Sequence, residues 1–387
     1  MAERSYLDWN ATTPLRPEAG AALAGALALS GNPSSVHVEG RAARHAVELA
    51  REQVAALAGA QTGDVFFTSS GTEANMLALT PAIEVDGDKR PRTRLLISAV
   101  EHVSVRTGGR FPREAVEELP VGADGRLKLA ALEAAVARFP RALVSLMLAN
   151  NETGVIEPVA DAAAIVHAAD GLLHVDAVQA AGRIDCDMLA HGADLLTLSA
   201  HKIGGLKGVG ALIRRGEHIH LAEPLIRGGG QERGVRAGTE NVAGIAAFGA
   251  AAVAARRTRE AEAKRMLELR TRLEQGLREV LPPVVVFGAE AERLPNTTLF
   301  AAPGLKAETA VIAFDLEGIA VSSGAACSSG KVQPSHVLAA MGVATELRGA
   351  VRVSLGWETT DDDIARFQNA WRKLATTLSK GRRGIAA

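Results

Sequence analysis

The chain of 387 residues is poor in several features that mark particular classes of protein. It has two cysteines, which are too few for a disulfide framework and suit a reducing cytoplasm. No uncharged apolar stretch approaches the roughly 20 residues that span a bilayer. The first residues also lack the charged-then-apolar pattern of a signal peptide. We therefore expect a cytoplasmic protein without a membrane segment.

An excess of charge of one sign is also missing. The 43 basic and 44 acidic side chains leave a net charge of −1, so nothing favours a nucleic-acid ligand or an acidic scaffold. A metal centre is not expected either, because Cys186 and His191 have no second Cys/His pair to complete a tetrahedral set. Aromatic residues make up only 3% of the chain, and nine lysines stand against thirty-four arginines. This scarcity makes the position of each lysine informative.

The length of the chain predicts one large and one smaller domain. Apolar runs alternate with helical patterns and predict a buried, mostly parallel sheet; they are residues 65–68, 94–98, 142–148, 172–175 and 195–198. Polar residues follow all five runs, and open α/β sheets bind ligands beyond the carboxyl ends of their strands. A charged helical window at about 260–280 then leads into short strands and helices. We assign 16–258 to the large domain, and 1–15 with 259–387 to a small α/β domain.

Lys202 ends one of these runs, in the sequence Ser199-Ala200-His201-Lys202, and a pair of glycines follows it. Asp176 ends another run 26 residues earlier. A lysine, an upstream aspartate and a phosphate-type glycine turn are what pyridoxal 5′-phosphate (PLP) needs in order to be held and used. On this segment alone, an ordinary solvated lysine is an equally good interpretation.

Two other strand ends fit the same cofactor. Residues 69–75 (SSGTEAN) join a strand to a helix, where small residues and the helix N-terminus favour an anion and Thr72 could donate a hydrogen bond; a plain N-cap explains them equally well. Asp176 shares a strand face with His174 and needs a cationic partner, which a protonated pyridine nitrogen would supply. The alternative for Asp176 is an N-cap of the next helix. Gln179 could donate to the ring phenolate.

Several isolated residues could also carry chemistry. His102 could stack on a cofactor ring and handle protons, although a structural histidine is commoner. Arg352 interrupts an apolar strand and could hold a carboxylate through two hydrogen bonds, or be a surface arginine on an edge strand. Cys327 lies in residues 322–330 (SSGAACSSG), a stretch expected to be mobile and to expose a reactive thiol, whereas Cys186 between two aspartates is expected to be structural. The glycine- and arginine-rich residues 227–241 predict an ordered loop around an anion or a subunit contact.

Taken together, these segments resemble the fold-type I, PLP-dependent cysteine desulfurases of the NifS/IscS type, within the class-V aminotransferase superfamily. The most specific matches are residues 150–154 (NNETG), 174–179 (HVDAVQ), 199–202 (SAHK), 233–239 (RGVRAGT) and 322–327 (SSGAAC). The resemblance implies an α/β fold-type I PLP-dependent transferase, with a large domain built on a mostly parallel central sheet flanked by helices and a smaller C-terminal α/β domain. It also implies that L-cysteine is converted to L-alanine, and that Cys327 carries the sulfur as a persulfide to an acceptor or scaffold protein, as in iron–sulfur cluster assembly.

The resemblance further implies a role for each site residue. Lys202 would bind the cofactor covalently and later move protons at the substrate carbon, and His102 would stack on the ring. Asp176 would pair with the pyridine nitrogen and Gln179 with the phenolic oxygen. The residues implied for the phosphate are Gly71, Thr72, Ser199, His201 and, from the neighbouring subunit of a homodimer, Thr239. Asn151 and Arg352 would hold the substrate carboxylate, and Cys327 would attack the substrate sulfur.

Other functions remain open. A selenocysteine lyase, another PLP β-lyase or an aminotransferase could use the same fold, although an aminotransferase needs no loop cysteine. A non-catalytic sulfur-relay or scaffold protein is a different kind of alternative, against which the complete set of Lys202, Asp176, His102 and Cys327 counts. A nicotinamide-dependent dehydrogenase is weaker still, because residues 204–210 lack the Gly-x-Gly-x-x-Gly spacing.

Overall fold

The computed structural model describes residues 4–324 and 334–383, and Cys327 lies outside them. The strands in this part of the chain are β1 Ser5–Tyr6, β2 Val65–Thr68, β3 Ile83–Val85, β4 Leu95–Ser98, β5 Val116–Leu119, β6 Leu143–Met147, β7 Leu172–Asp176, β8 Leu195–Ser199, β9 Gly210–Arg214, β10 Ile219–Leu221, β11 Val285–Val286, β12 Thr297–Ala301, β13 Ile319–Ala320, β14 Ser322–Ser323 and β15 Val351–Ser354. The helices are α1 Pro17–Leu27, α2 Val38–Ala58, α3 Gly71–Ala78, α4 Val103–Arg106, α5 Leu129–Arg138, α6 Val159–Ala168, α7 Val242–Val280, α8 Ala307–Leu316, α9 His336–Ala340 and α10 Asp361–Arg383.

The central sheet has seven strands in the order β2-β9-β8-β7-β6-β4-β5. Neighbours from β8 to β5 pair in parallel, whereas β9 pairs antiparallel with both β8 and β2. Strand β2 therefore points the same way as β8, and only β9 is reversed within this sheet. The predicted mostly parallel sheet is confirmed, and all five predicted runs belong to it. Their carboxyl ends lie along one edge.

Both faces of this sheet are buried, which explains why its strands are nearly continuous apolar runs. On β7, Leu173 and Val175 pack into one hydrophobic cluster, which also contains Phe248 of α7. Leu172 packs on the opposite face of the sheet. Since side chains alternate along a strand, His174 and Asp176 share the face of Leu172. This alternation aims the carboxylate of Asp176 away from the cluster that contains Val175.

A second sheet has the order β11-β12-β15-β14 and is antiparallel. Its core includes an aromatic group in which Phe300 meets Trp371 edge-on at 5.4 Å and Phe314 stacks on Phe367 at 4.9 Å. The N-terminal segment joins this part of the molecule, because β1 pairs with β13 and Asp8 forms a bridge with Ser354. The first residues of the chain therefore reach the edge where the polar strand ends meet.

The charged window at 260–280 is helical as predicted, and it continues the alanine-rich segment before it in the 39-residue helix α7. Two other interpretations were wrong. Ser322 and Ser323, expected in a mobile stretch, form β14 and are buried. Arg352 is not on a surface edge, since β15 lies between β12 and β14. Within residues 4–324 and 334–383, no helix has both the length and the apolar character needed to cross a membrane.

Candidate active site

A cavity of about 360 Å³ opens at the carboxyl edge of the central sheet. Most of its wall comes from the turns that follow β2, β4, β6, β7 and β8, with additions from the N-terminal segment and β15. It brings together these residues singled out in the sequence: Gly71, Thr72, His102, Asn151, Asp176, Gln179, Ser199, His201, Lys202 and Arg352. Thr239 does not line it and is exposed. Cys327 lies outside the described residues.

Lys202 ends a short helical turn that directly follows β8. Its ammonium group donates hydrogen bonds to the carbonyl oxygens of Asn10 and, at 2.9 Å, Ala11. The chain can turn away beyond Lys202 because Gly204 adopts a φ of +94°, a left-handed conformation that favours glycine. The amine is thus directed to the cavity, and its described acceptors are neutral backbone oxygens of the N-terminal segment.

One wall of the cavity is suited to an anion. Helix α3 begins at Gly71, Ser70 caps it by accepting from the Glu73 N–H, and the first backbone N–H groups of a helix carry partial positive charge. The backbone of β9 approaches this turn so closely that a Cβ on Gly210 would lie 2.5 Å from the carbonyl carbon of Ser70. Ser199 and His201 line the same cavity. A phosphate here would meet backbone donors and hydroxyl groups.

His201 is neutral at physiological pH. Burial first, and the charge of Lys202 second, lower its pKa to about 4. Its Nδ1 lies 3.1 Å from the Thr12 hydroxyl, which ties the turn after β8 to the N-terminal segment. His201 can therefore contribute a hydrogen bond to a bound anion, but not a full positive charge.

Asp176 ends β7 with its carboxylate at the cavity. Its Oδ1 accepts from the Val178 N–H at 3.0 Å, and its Oδ2 accepts from the Asn75 side-chain amide at 2.8 Å. Residues 177–194 contain no helix, so the alternative of an N-cap is wrong, and the carboxylate instead fixes the turn that follows β7. Gln179, one turn further on, donates to the carbonyl of Asn10 at 3.0 Å.

His102 precedes the short helix α4 and caps it. Its Nδ1 accepts from the Ser104 backbone N–H at 3.2 Å and lies 2.8 Å from the Ser104 hydroxyl. These contacts hold the imidazole in the cavity wall, just beyond the end of β4. Stacking on a planar ring and capping are compatible, since capping uses only Nδ1.

Arg352 is 2% exposed and its guanidinium is held on two sides. It donates to the carbonyl of Asn151 at 3.0 Å and to Asp8 Oδ1 at 2.8 Å. The other oxygen of Asp8 accepts from the Ser322 hydroxyl at 2.7 Å. The Nε of Arg352 has no hydrogen-bond partner among the described residues. A buried guanidinium with an unused donor beside the cavity is suited to a carboxylate ligand.

The sequence model of the family described as Aminotransferase class-V matches residues 5–367. The chain belongs to this family. It is 46% identical over 374 residues to a cysteine desulfurase of Cereibacter sphaeroides, with 94% of each chain covered. It is 41% identical over 370 residues to the cysteine desulfurase IscS of Dictyoglomus turgidum, covering 94% of this chain and 92% of that one. The structure of a NifS-like protein from Rickettsia africae matches with a TM-score of 0.84 at 34% identity, covering 96% of this chain and 99% of the other.

These findings confirm the resemblance and the α/β fold predicted from the sequence. The residues present in this family member also fit PLP as a ligand. Asn75 Oδ1 is buried at the cavity wall and has no hydrogen-bond partner among the described residues, so a polar group is missing beside Asp176. Gly71 at the start of α3 lines the cavity and brings backbone N–H donors to its wall, and Lys202 supplies an amine.

Sequence reasoning missed three residues of this site: Asp8, Asn75 and Ser104. Asp8 and Arg352 are 344 positions apart, and Asn75 and Asp176 are 101 apart, so no local pattern joins them. In the sequence, the only signals for them were an acidic residue beside the N-terminal strand (Asp8) and a polar residue in the first turn of α3 (Asn75). Cys186 is structural as expected: it is fully buried, its thiol donates to the Leu57 carbonyl, and burial raises its pKa to about 12.

Proposed function

We propose that this member of the class-V aminotransferase family is a PLP-dependent cysteine desulfurase that converts L-cysteine to L-alanine and retains the sulfur on Cys327. The observation that carries the proposal is the convergence of an amine (Lys202), a carboxylate (Asp176) and a guanidinium (Arg352) on one cavity. The relatives named as cysteine desulfurases cover more than nine-tenths of the chain and support it.

The residues have separate tasks in this reaction. When bound, PLP supplies an electron sink for the charge left on a deprotonated substrate carbon. Lys202 binds the cofactor through its ε-amine and moves a proton at the substrate carbon. Asp176 pairs with the pyridine nitrogen, and Gln179 donates to the phenolic oxygen. The phosphate is held by Gly71, Thr72, Ser199 and His201, with Thr239 reaching it across the interface of a homodimer.

Another group of residues binds the substrate and transfers its sulfur. Arg352 and Asn151 hold the substrate carboxylate, and His102 stacks on the cofactor ring. The Cys327 thiolate attacks the substrate sulfur, an S–S bond forms, the C–S bond breaks, and its electron pair stays on the carbon that becomes the methyl group of alanine. A thiol and cysteine give a persulfide and alanine, so the step needs no external oxidant. The persulfide is then passed to an acceptor protein, with iron–sulfur cluster assembly as the proposed use in the cytoplasm.

The domain boundaries belong to the same proposal. We place the large PLP-binding domain at 16–258, and the small domain at 1–15 with 259–387. The pairing of β1 with β13 and the bridge from Asp8 to Ser354 support the assignment of the N-terminal residues to the second unit.

A cysteine substitution tests the sulfur-transfer step. Purified protein loaded with PLP is given L-cysteine, and alanine and sulfide are measured. We expect Cys327→Ala to bind PLP normally but to release almost no sulfide, because the acceptor of the sulfur is gone. Cys186→Ala is the matched control, since it removes the other cysteine of the chain from a buried site and leaves turnover intact. Full desulfurase activity in Cys327→Ala would show that another group takes the sulfur.

Hydride trapping tests the cofactor link. Borohydride reduction of the loaded protein, followed by peptide mass spectrometry, should place a pyridoxyl adduct on Lys202. Lys207, which is exposed and five positions further on, is the control position, and Lys207→Ala should leave the adduct unchanged. An adduct on a different lysine contradicts the assignment, and a protein that binds no PLP favours the sulfur-relay or scaffold alternative.

A further inference from the structure

A chain of hydrogen bonds joins the two residues that flank the proposed cofactor ring. Asp176 Oδ2 and the Asn75 amide nitrogen are 2.8 Å apart, the Asn75 amide nitrogen and the Ser104 hydroxyl are 2.9 Å apart, and the Ser104 hydroxyl and His102 Nδ1 are 2.8 Å apart. Asn75 and Ser104 are 1% and 7% exposed. The four side chains come from β7, α3 and the start of α4, so only the folded chain brings them together.

The direction of every bond in this chain is determined by Asp176. An ionised carboxylate only accepts hydrogen bonds, so the Asn75 amide must present its nitrogen to Asp176, because the opposite orientation would place two acceptors 2.8 Å apart. The same nitrogen donates its second hydrogen to the Ser104 oxygen. The single hydrogen of the Ser104 hydroxyl is then directed to His102 Nδ1.

His102 Nδ1 thereby receives two donors, the hydroxyl at 2.8 Å and the Ser104 backbone N–H at 3.2 Å. A nitrogen that accepts cannot carry the proton of a neutral imidazole, so that proton lies on Nε2. We propose that Asn75 and Ser104 are positioning residues that orient the Asp176 carboxylate and hold His102 in the tautomer protonated on Nε2. The inference rests on the proposed function only in assigning Asp176 and His102 to the cofactor ring.

This arrangement couples the two sides of the ring site. Asn75 fixes one carboxylate oxygen while Val178 fixes the other, so Asp176 keeps one orientation in the cavity. The imidazole of His102 keeps Nδ1 engaged, so a proton can be exchanged only at Nε2. A second role of Asn75 follows from its buried and unpartnered Oδ1, which remains available to a donor in the cavity.

The tautomer can be measured without cofactor or turnover. Cofactor-free protein labelled with ¹⁵N-histidine is examined by long-range proton–nitrogen NMR, and His102 is assigned from the signal that His102→Asn removes. We expect the wild-type ring to carry its proton on Nε2. Ser104→Ala should lower the ratio of the Nε2–H to the Nδ1–H form about fivefold, the change expected from one neutral hydrogen bond. Ser104→Thr, which keeps the hydroxyl, should restore it.

Thr107→Ala is the matched control, because Thr107 lies at the other end of α4, its hydroxyl donates to the Ser104 carbonyl and not to His102, and it is exposed. Asn75→Ala should lower the ratio in the wild-type background but add nothing to Ser104→Ala, because its effect passes through that hydroxyl. If Ser104→Ala does not fold, Asn75→Ala still tests the proposal, because Asn75 lies on α3 and not on α4. The proposal is overturned if the wild-type proton lies on Nδ1 of His102, or if Ser104→Ala and Thr107→Ala give the same tautomer ratio. It is also overturned if the effects of Asn75→Ala and Ser104→Ala on that ratio add in the double variant. A failed desulfurase assay is a separate result, since this readout uses neither cofactor nor cysteine.

Discussion

The ion pair of Asp8 and Arg352 gives the sharpest quantitative prediction. The guanidinium is 2% exposed and Asp8 Oδ1 is its described carboxylate partner at 2.8 Å. Removing one member of a buried pair leaves an uncompensated charge away from water, which costs about 3–5 kcal/mol. Loss of the Ser322 acceptor adds to this, whereas residual exposure of Asp8 reduces it. We expect Asp8→Ala to lower the free energy of unfolding by about 3 kcal/mol.

An exposed pair in the same chain provides the matched control. Lys373 and Glu317 form a salt bridge with side-chain exposures of 67% and 41%, and such pairs contribute about 0–1 kcal/mol. Urea unfolding at one protein concentration should therefore separate Asp8→Ala from Glu317→Ala by about 2 kcal/mol or more. In about 1 M salt the Asp8 effect should persist, because salt screens buried pairs weakly. Replacing Arg352 by Met in the Asp8→Ala background should recover part of the loss. Equal costs for the two alanine variants would refute the reasoning.

Three further changes test the cavity and the buried titratable groups. Gly210→Ala should push the Ser70 turn outward and weaken PLP binding at least tenfold by equilibrium dialysis, whereas Gly63→Ala, which meets nothing within 4 Å, should not. Burial lowers the pKa of His174 to about 4, so its neutral form stabilises the fold above about pH 6.5 and this contribution is lost as the pH falls towards 4; His174→Gln should flatten the acid limb of stability against pH by roughly 3 kcal/mol. Burial raises the pKa of Glu157 to about 8, so its contribution is complete below about pH 4.5 and is lost as the pH rises through 8. Glu157→Gln should therefore reduce the loss of folding stability as the pH rises from about 4.5 to 8. If the pH dependence of stability is unchanged in either variant, the group assigned to it is wrong.

The sheet was predictable because burial of both faces leaves a simple signal. Each of the five runs is apolar on both faces where the structure buries both, and the change to polar residues marks the end of the strand. The direction of a strand has no such signal, and β9 is as apolar as its neighbours although it runs the opposite way. Its reversal places Gly210 against the Ser70 turn, a feature that no reading of 204–210 as an isolated motif could provide.

Site residues that lie at the ends of strands could be predicted from the sequence. Their hydrogen-bond partners, which are distant in the sequence, could not. Lys202 and Asp176 each end a strand, so their positions follow from the strands. The partners that orient them are distant: Asn10 holds Lys202, and Asn75 holds Asp176. Arg352 was ambiguous from the sequence because its strand could have been an edge. Its burial follows from the placement of β15 between two other strands, which depends on long-range pairing.

The charges around the cavity explain how the site could hold an anionic cofactor and an anionic substrate together. Lys202 and Arg352 are the lysine and the arginine of the described cavity wall, and His201 beside them is neutral. The link to an aldehyde would engage the amine of Lys202, and Arg352 is paired with Asp8 and has only its buried Nε without a hydrogen-bond partner among the described residues. A phosphate is therefore left to the backbone and hydroxyl donors at the start of α3, which need no counter-charge. This division keeps the guanidinium available for a carboxylate, since a bound phosphate at the other end of the cavity does not compete for it.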